Sequence, residues 1–374
     1  MHSIKSPRGN LMPKRILFLS LYTYSLTGGI EKVCKNFIQV LYMLRQQGQI
    51  EDCLALSLYD QNQQHHNFRS FNGNKIKYLL NTFRKSFAYD VVILSHIHLL
   101  PIAKLVRLFS PKKKIILFAH GIEVWKPLSL WKKKILSEID IWAVSSYTAK
   151  KLHQQHDIPQ QNVHVLNNSL PKGYPFNKEK SQSLALKYPI PSDHQILLTV
   201  CRLSSAEQYK GYDLVLLALR DLVKAYPKLS YFIVGKADKT ERTRIEKLIA
   251  AYHLQENVVL TGHVSDAEIE GLYQQADVFV MPSKGEGFGL VFTEALAHGC
   301  RVLAGNADGS NDALLNGELG LLVNPEDVNA IYKGIEALLL APVLANETAE
   351  KQEKVNSHFG FDVYASKVAR LLEF

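Results

Sequence analysis

The stretch Ser283 to Arg301, SKGEGFGLVFTEALAHGCR, follows the apolar run AlaAspValPheValMetPro at 276–282, and together they predict a buried strand, a glycine-rich turn and a helix. The turn carries Glu286, and Glu294 follows eight residues later on the helix. Gly285, Gly287 and Gly289 leave the backbone free to take positive φ and to approach a ligand closely, while the new helix offers unpaired amides and a positive dipole end. Such a turn suits an anion, with one acid at its mouth. From Leu290 the pattern LVFTEALAHG is mostly apolar with small residues, so the helix is expected to be buried on several sides and Glu294 to lie in apolar surroundings. A carboxylate in that position needs donors, and sugar or ribose hydroxyls supply them.

These residues resemble a known pattern. Glu286 to Glu294, with its glycines, is similar to the Glu-x7-Glu motif of retaining nucleotide-sugar glycosyltransferases of the family-4 type. The resemblance implies an α/β protein of two Rossmann-like domains facing across a cleft, the B-type architecture, with a C-terminal helix crossing back to the first domain. It implies that Glu286 contacts hydroxyls of the transferred sugar and Glu294 the ribose of the nucleotide, with Gly287, Phe288, Gly289 and Leu290 also on the donor.

At 374 residues the chain fits two domains, and 47% hydrophobic with 21% charged residues describes an ordinary globular protein. No apolar run reaches the length of a membrane span, and the basic N-terminus MHSIKSPRGNLMPKR lacks the apolar core of a secretory signal, so the cytosol is expected. Cys34, Cys53, Cys201 and Cys300 are far apart without C-x2-C spacing and read as reduced thiols rather than metal ligands or a disulfide framework. Charge is uneven. Residues 1–170 hold 23 Lys and Arg against 9 Asp and Glu, net +14, whereas 171–374 hold 21 against 26, net −5. A basic first half points to an anionic partner: a phosphate-bearing acceptor, a lipid surface or nucleic acid. KLVRLFSPKKK at 104–114 and LWKKKIL at 130–136 mix cations with Leu, Phe and Trp, which suits docking on the inner face of an anionic membrane. No nucleic-acid module or aromatic-basic motif is present, and nucleic acid is set aside.

In chain order, RILFLSLY at 15–22 reads as a strand that leads through TyrSerLeuThrGlyGlyIleGlu to a helix from Glu31 to about Gln47. The dinucleotide fingerprint Gly-x-Gly-x-x-Gly is absent. The resemblance gives Gly28 and Gly29 a place beside the donor phosphate and the acceptor. Further strands are expected at 53–59, 75–80, 90–96, 114–120, 141–145 and 162–166, alternating with helices, which argues for a parallel sheet. Gln61 to Gly73 reads as an exposed loop whose His65 and His66 are poor metal candidates for want of a third ligand. His120 stands where a strand ends, ahead of Gly121, and the carboxyl ends of parallel strands are where such sheets place ligands. The resemblance turns HisGlyIleGlu at 120–123 toward the transferred sugar through His120.

Composition changes at 167–192, and the domains are expected at 1–170 (acceptor) and 193–356 (nucleotide sugar), with a linker at 171–192 and a terminal helix over 357–374 returning to the first domain. After strand HQILLTVCRL come Arg202, Lys210 and Gly211, ahead of the amphipathic YDLVLLALRDLVKAY. Both cations suit a diphosphate, and the resemblance assigns them to it. Cys201 replaces the glycine common before that Arg. Strands are expected at 230–235 and 257–262 with a helix over 240–252, Ser265 and Glu268 form a capping box, and the resemblance matches Gly262, His263 and Val264 to base reading by backbone groups. RVLAG and GLLV add two strands, and NADGSNDALLNG departs from the Pro-Glu form frequent between them.

With no Asp-x-Asp in the chain, no metal and no cofactor is expected, and Arg202, Lys210 and the amides near Gly29 and Gly289 take over the diphosphate. The catalytic set is His120, Glu286, Arg202 and Lys210, the partners a nucleotide-diphosphate sugar and a glycan or lipid-linked acceptor, and retention at the anomeric carbon is implied by the resemblance. A nucleotide-sugar epimerase of the same fold and a non-catalytic binding homologue are the alternatives.

Overall fold

The computed structural model describes residues 14–62, 64 and 65 (backbone alone), 67–176, 187, 188, 191, 193–342 and 344–372. The linker predicted at 171–192 lies mostly outside them, as do His66 and the first thirteen residues. The chain forms two compact units. One takes the described residues of Met1–Val144, Thr148–Lys172 and Phe361–Phe374, the other those of Ser145–Tyr147 and Gly173–Gly360.

The first unit runs β1 (Arg15–Ser20), α1 (Gly29–Gln46), β2 (Asp52–Ser57), β3 (Gln64–His65), β4 (Phe68–Ser70), α2 (Lys75–Ala88), β5 (Val91–Leu94), α3 (Leu100–Phe109), β6 (Lys114–Ala119), α4 (Ile122–Trp125), α5 (Leu130–Leu136), β7 (Asp140–Ala143), α6 (Ser146–His156) and β8 (Val163–Val165). Its sheet has the order β3-β4-β2-β1-β5-β6-β7-β8, parallel except for the β3–β4 pair. β1, β5 and β6 are near-continuous apolar runs buried along their length, as strands covered on both faces require. Phe18, Phe37, Phe118 and Trp142 pack at their centre with centroids 5.0–6.4 Å apart, edge to face except for the tilted Phe18–Phe37 pair.

Two expectations are corrected here. KIKYLL at 75–80, read as a strand from its alternation, is the start of α2: the Asn74 side chain accepts from Lys77 N at 2.9 Å, and Tyr78, Thr82 and Ser86 face inward at a spacing of four. Gln61 to Gly73, read as an exposed loop, contains β3 and β4, because Phe68 and Ser70 are buried against β2.

The second unit continues with β9 (Gln195–Val200), α7 (Tyr212–Ala225), β10 (Leu229–Val234), α8 (Lys239–Ala251), β11 (Val258–Gly262), α9 (Asp266–Gln275), β12 (Val278–Met281), α10 (Leu290–Ala297), β13 (Arg301–Gly305), α11 (Ser310–Ala313), β14 (Leu321–Val323), α12 (Val328–Leu340) and α13 (Ala345–Phe359). The parallel sheet has the order β11-β10-β9-β12-β13-β14. The capping box of Ser265 with Glu268 opens α9, and α10 is buried on all sides. The last helix, α14 (Phe361–Leu372), belongs to the first unit, where Lys14 Nζ donates to the carbonyl oxygen of Leu372 at 2.5 Å.

In each sheet the strand order reverses once, between β1 and β5 in the first and between β9 and β12 in the second. Reversal splays the flanking loops apart at the carboxyl ends of the strands and opens a crevice there. None of the four cysteines is in a disulfide, and Cys34, Cys53 and Cys300 are buried. No helix among the described residues is long and apolar enough to cross a membrane.

Candidate functional site

In the second unit the turns after β9 and β12 are sewn together. Gly211, at φ 78°, lies so close to Pro282 that a Cβ would collide with its carbonyl oxygen, and a Cβ on Gly285 would strike the Tyr209 ring. Lys284 N donates to the Tyr209 carbonyl at 3.0 Å. This stitching brings Lys210, eight residues from Arg202 in sequence, against Glu286, and the ammonium and carboxylate form an ion pair in which the side chains are 13% and 14% exposed. Burial pushes the Lys210 ammonium toward neutrality, but the Glu286 carboxylate, then the Tyr209 ring, outweigh it and the net shift is upward. Lys210 therefore stays charged, and with one N–H given to Glu286 it keeps two donors for a ligand.

The Glu286 backbone is clamped from the segment after β13. Glu286 N donates to Asp308 Oδ2 at 2.7 Å, Ser310 N donates to Asp308 Oδ1 at 2.9 Å, and Gly309 N donates to the Glu286 carbonyl at 2.9 Å. A Cβ on Gly309 would collide with the Gly287 carbonyl. Asp308 is fully buried, and that burial raises its carboxyl to about 6 against the donors that favour the charged form. Asp308 is thus a positioning residue that the sequence reading missed.

Gly289, at φ 87°, precedes α10 without a side-chain cap, which leaves the first amides of that helix to a ligand. Phe288 turns its ring into the core against Phe359 at 5.3 Å, and Leu290 is buried, so these two offer a ligand main chain only. Glu294 is 3% exposed and accepts from the Tyr273 hydroxyl at 3.2 Å. Tyr273 in turn stacks on His298, with centroids 5.8 Å apart and planes 9° from parallel. Arg202 is 73% exposed and its guanidinium pairs with Glu207. Gly262, at φ 70°, exposed His263 and buried Val264 stand at the end of the edge strand β11, two strands from β9.

In the first unit Gly28 caps α1 with extended backbone and Gly29 begins it, both exposed. The loop before them is held by Asp60, whose carboxylate accepts from Thr23 N at 2.8 Å, Tyr24 N at 3.0 Å and Ser25 N at 2.7 Å. Although Asp60 is buried, its hydrogen bonds prevail and keep the acid below its usual range. His120 follows β6, stacks 6.0 Å from Phe118 and lies 2.7 Å through Nε2 from the Ser95 carbonyl oxygen. Its backbone N donates to Glu123 Oε1 at 2.5 Å, so HisGlyIleGlu closes on itself around Gly121, at φ 137°. Asp60 and His96, next to Ser95, were not singled out in the sequence. Both stand just past strand ends, which is the signal that finds them. Among the described residues no group of three His, Cys, Asp or Glu is placed to hold a metal.

A nucleotide sugar needs diphosphate cations, hydroxyl acceptors and close backbone, and one end of the second sheet supplies all three. Residues 182–355 match the model of the glycosyl transferases group 1. The second unit belongs to that family. A GDP-mannose-dependent alpha-(1-6)-phosphatidylinositol monomannoside mannosyltransferase of Mycolicibacterium smegmatis is 32% identical to this chain over 39% of each. The chain thus spans about two-fifths of the length of that relative. An uncharacterised 41.2 kDa protein in the cps region of Klebsiella pneumoniae is 27% identical over 71% of this chain and 75% of its own. Among solved structures, Anabaena HepE in complex with UDP and glucose superposes with a TM-score of 0.77 over 96% of this chain and 99% of its own, at 18% identity. That likeness establishes the B-type fold of two Rossmann-like units.

Proposed function

We propose that the chain is a retaining, family-4 type glycosyltransferase that moves a hexose from a UDP- or GDP-sugar to a glycan or lipid-linked acceptor in surface polysaccharide assembly, on the cytoplasmic side of the membrane. The observation that carries this reading is the Lys210–Glu286 pair, held on two turns at the reversal of the second sheet beside the uncapped start of α10. Lys210, with Arg202 released from Glu207, neutralises the diphosphate in the ground state and more so as the leaving group gains charge, without a metal or cofactor. Glu286 accepts from hydroxyls of the transferred sugar, Glu294 from the ribose with Tyr273 fixing its orientation, and main chain at Gly262 to Val264 reads the base. In the first unit Gly28 and Gly29 serve phosphate and acceptor, and His120 the transferred sugar. The acceptor hydroxyl attacks on the face the nucleotide leaves, and the departing phosphate takes its proton. UDP in the HepE complex and GDP-mannose in the relative's name support testing both donor classes.

The test is a panel of UDP- and GDP-sugars, read by thermal shift and nucleotide release with and without EDTA. One nucleotide class is expected to stabilise wild type and not Glu294→Ala, with release unchanged by EDTA. No stabilisation of wild type at millimolar nucleotide sinks the transferase reading.

The acceptor side is read as a lipid surface. Between residues 61 and 137 there are fourteen Lys and Arg against two carboxylates, Asp90 and Glu123. The neighbouring helices α2, α3 and α5 expose Ile76, Leu80, Phe87, Leu108, Phe109 and Leu130, the last 86% open. Phe83 meets Phe109 at 5.2 Å, and Lys104 and Lys132 lie over the Trp131 ring at 5.8 and 5.9 Å, so apolar and cationic groups form one face. Each basic residue near anionic lipid adds about 1 kcal/mol. The full chain is expected to co-sediment with phosphatidylglycerol vesicles at low salt and far less with phosphatidylcholine, and Leu130→Glu with Trp131→Glu to release it. Equal binding to both vesicles removes the membrane from the proposal.

A further inference from the structure

The turn that carries Lys210 is bracketed by one buried acid on the neighbouring crossover. Glu241, in the first turn of α8, is fully buried. Its Oε2 accepts from Gln208 Nε2 at 3.0 Å and its Oε1 from the Tyr212 hydroxyl at 2.7 Å. Gln208 opens the single 3-10 turn Gln208–Lys210 and Tyr212 opens α7, so the two donors stand two residues before and two residues after Lys210. A carboxylate only accepts, which fixes the Gln208 amide with its nitrogen toward Glu241. Arg244, one turn on, donates from Nε to the same Oε1 at 2.8 Å and from Nη1 to Asp213 Oδ2 at 3.0 Å, which gives the buried charge its counter-ion. Burial pushes the Glu241 acid up, but the bonds from Arg244, Tyr212 and Gln208 outweigh it and the net shift is downward, so Glu241 is a carboxylate at neutral pH.

The same helix start holds the chain upstream. Asp238 caps α8 by accepting from Glu241 N at 2.8 Å, and its other oxygen accepts from Ser205 N at 2.8 Å. Leu203 N donates to the Lys236 carbonyl at 3.1 Å, and Asp238 N to the Leu203 carbonyl at 3.0 Å. The stretch between β9 and α7 is thus tied to the start of α8 at residues 203, 205, 208 and 212, while the Lys210 ammonium reaches to Glu286. Arg244 neutralises Glu241 and Tyr212 joins it to α7, so the bond from exposed Gln208 is the one that serves the Lys210 turn. We propose that Glu241 is a positioning residue of the donor site, acting through Gln208 to hold the Lys210 ammonium where the diphosphate of a nucleotide sugar meets it. This rests on the glycosyl-transfer reading. Asp308 holds Glu286 in the same way, so each member of the ion pair hangs from its own buried acid, and the charges are placed before the ligand arrives.

The competing explanation is that Glu241 only joins α8 to α7 through Tyr212. Glu241→Ala does not separate the two, because it leaves Arg244 short of a partner and lowers stability under either role. Gln208→Ala does: it cuts the tie to the turn, keeps the bonds from Tyr212 and Arg244, and leaves water to meet Glu241 Oε2. UDP and GDP are titrated by calorimetry into the full chain as wild type, Gln208→Ala, Lys210→Ala and the double variant, and melting is recorded for each. Gln208→Ala is expected to weaken the bound nucleoside diphosphate about tenfold with melting nearly unchanged. In the Lys210→Ala background it is expected to add less than about twofold, because a residue that acts through Lys210 then has nothing left to place. No loss in Gln208→Ala, or the same loss in both backgrounds, overturns the proposal. A second measurement needs no nucleotide. In the chain labelled with 15N-lysine, the Lys210 ammonium signal is identified by its absence from Lys210→Ala, and Gln208→Ala is expected to speed the exchange of its protons with water several-fold. An unchanged rate overturns the proposal as well. Wild type that binds neither UDP nor GDP fails the glycosyl-transfer reading instead, and the ammonium signal still decides whether Glu241 places Lys210.

Discussion

Lys210→Ala is expected to lower nucleotide-sugar turnover by about a hundred- to a thousandfold, the scale on which single preorganised charge-stabilising groups act. It is expected to cost stability as well. Removing the ammonium leaves the Glu286 carboxylate, 14% exposed, without its counter-ion, and breaking a buried pair from one side costs about 3–5 kcal/mol. At about 2–4 °C per kcal/mol for a unit of this size, melting falls by roughly 6–20 °C. The double variant Lys210→Met with Glu286→Leu restores most of the melting temperature, because two apolar side chains need no partner, yet restores no turnover. Thermal melting and nucleotide release on the three proteins, wild type included, test this together. If Lys210→Ala melts lower but turns over the donor at the wild-type rate, the pair is a structural tie and the diphosphate is neutralised elsewhere.

Asp308→Asn carries the second large effect. Each Asp308 oxygen accepts one backbone N–H, from Glu286 and from Ser310. An asparagine has one oxygen and must turn its own amide toward the other donor. An unpaired buried N–H costs about 1–3 kcal/mol, and here it loosens the residue that carries Glu286, so turnover is expected to fall about tenfold or more. The variant also changes how stability depends on pH. Asp308 holds its proton up to about 6 in the folded state against about 3.9 for an unperturbed aspartate, so the native chain binds that proton more tightly than the unfolded one. Its contribution is fully present below the unfolded value and is lost as pH rises through about 6. Relative to wild type, Asp308→Asn therefore flattens the fall in stability between about pH 4 and 6, by roughly 3 kcal/mol at most at about 1.4 kcal/mol per pH unit. Denaturant midpoints of the two proteins at pH 4, 5, 6 and 7 measure the difference; parallel curves refute the assignment.

The strands were legible because buried parallel strands are continuous apolar runs, although the readings at 15–22, 114–120 and 276–282 overran the strands Arg15–Ser20, Lys114–Ala119 and Val278–Met281 at their ends. α2 was misread because KIKYLL alternates locally while the helix turns Ile76, Leu79 and Leu80 outward, and only the Asn74 cap marks its start. β3 and β4 are too short to show a period. In the site, Glu286 and Glu294 could be read from their spacing among glycines, and Lys210 from the glycine that follows it. Asp60, Asp308 and His96 escaped notice because each acts on backbone amides from a single position, and for Asp60 and His96 only their place just past a strand end marks them. Arg202 shows the opposite limit: its charge is plain in the sequence, but its pairing with Glu207, five residues on, emerges only from the fold.

The Asp60 cradle fixes the start of the loop that leads to Gly28 and Gly29. With three successive amides tied to one buried carboxylate, residues 23–25 are fixed as the first sheet forms, before any ligand arrives. Fixing three residues of backbone costs about 3–6 kcal/mol of conformational entropy, and here that cost falls on folding instead of on binding. A ligand at this loop meets a surface already shaped for it, so its affinity is not drained by the ordering of the chain that receives it.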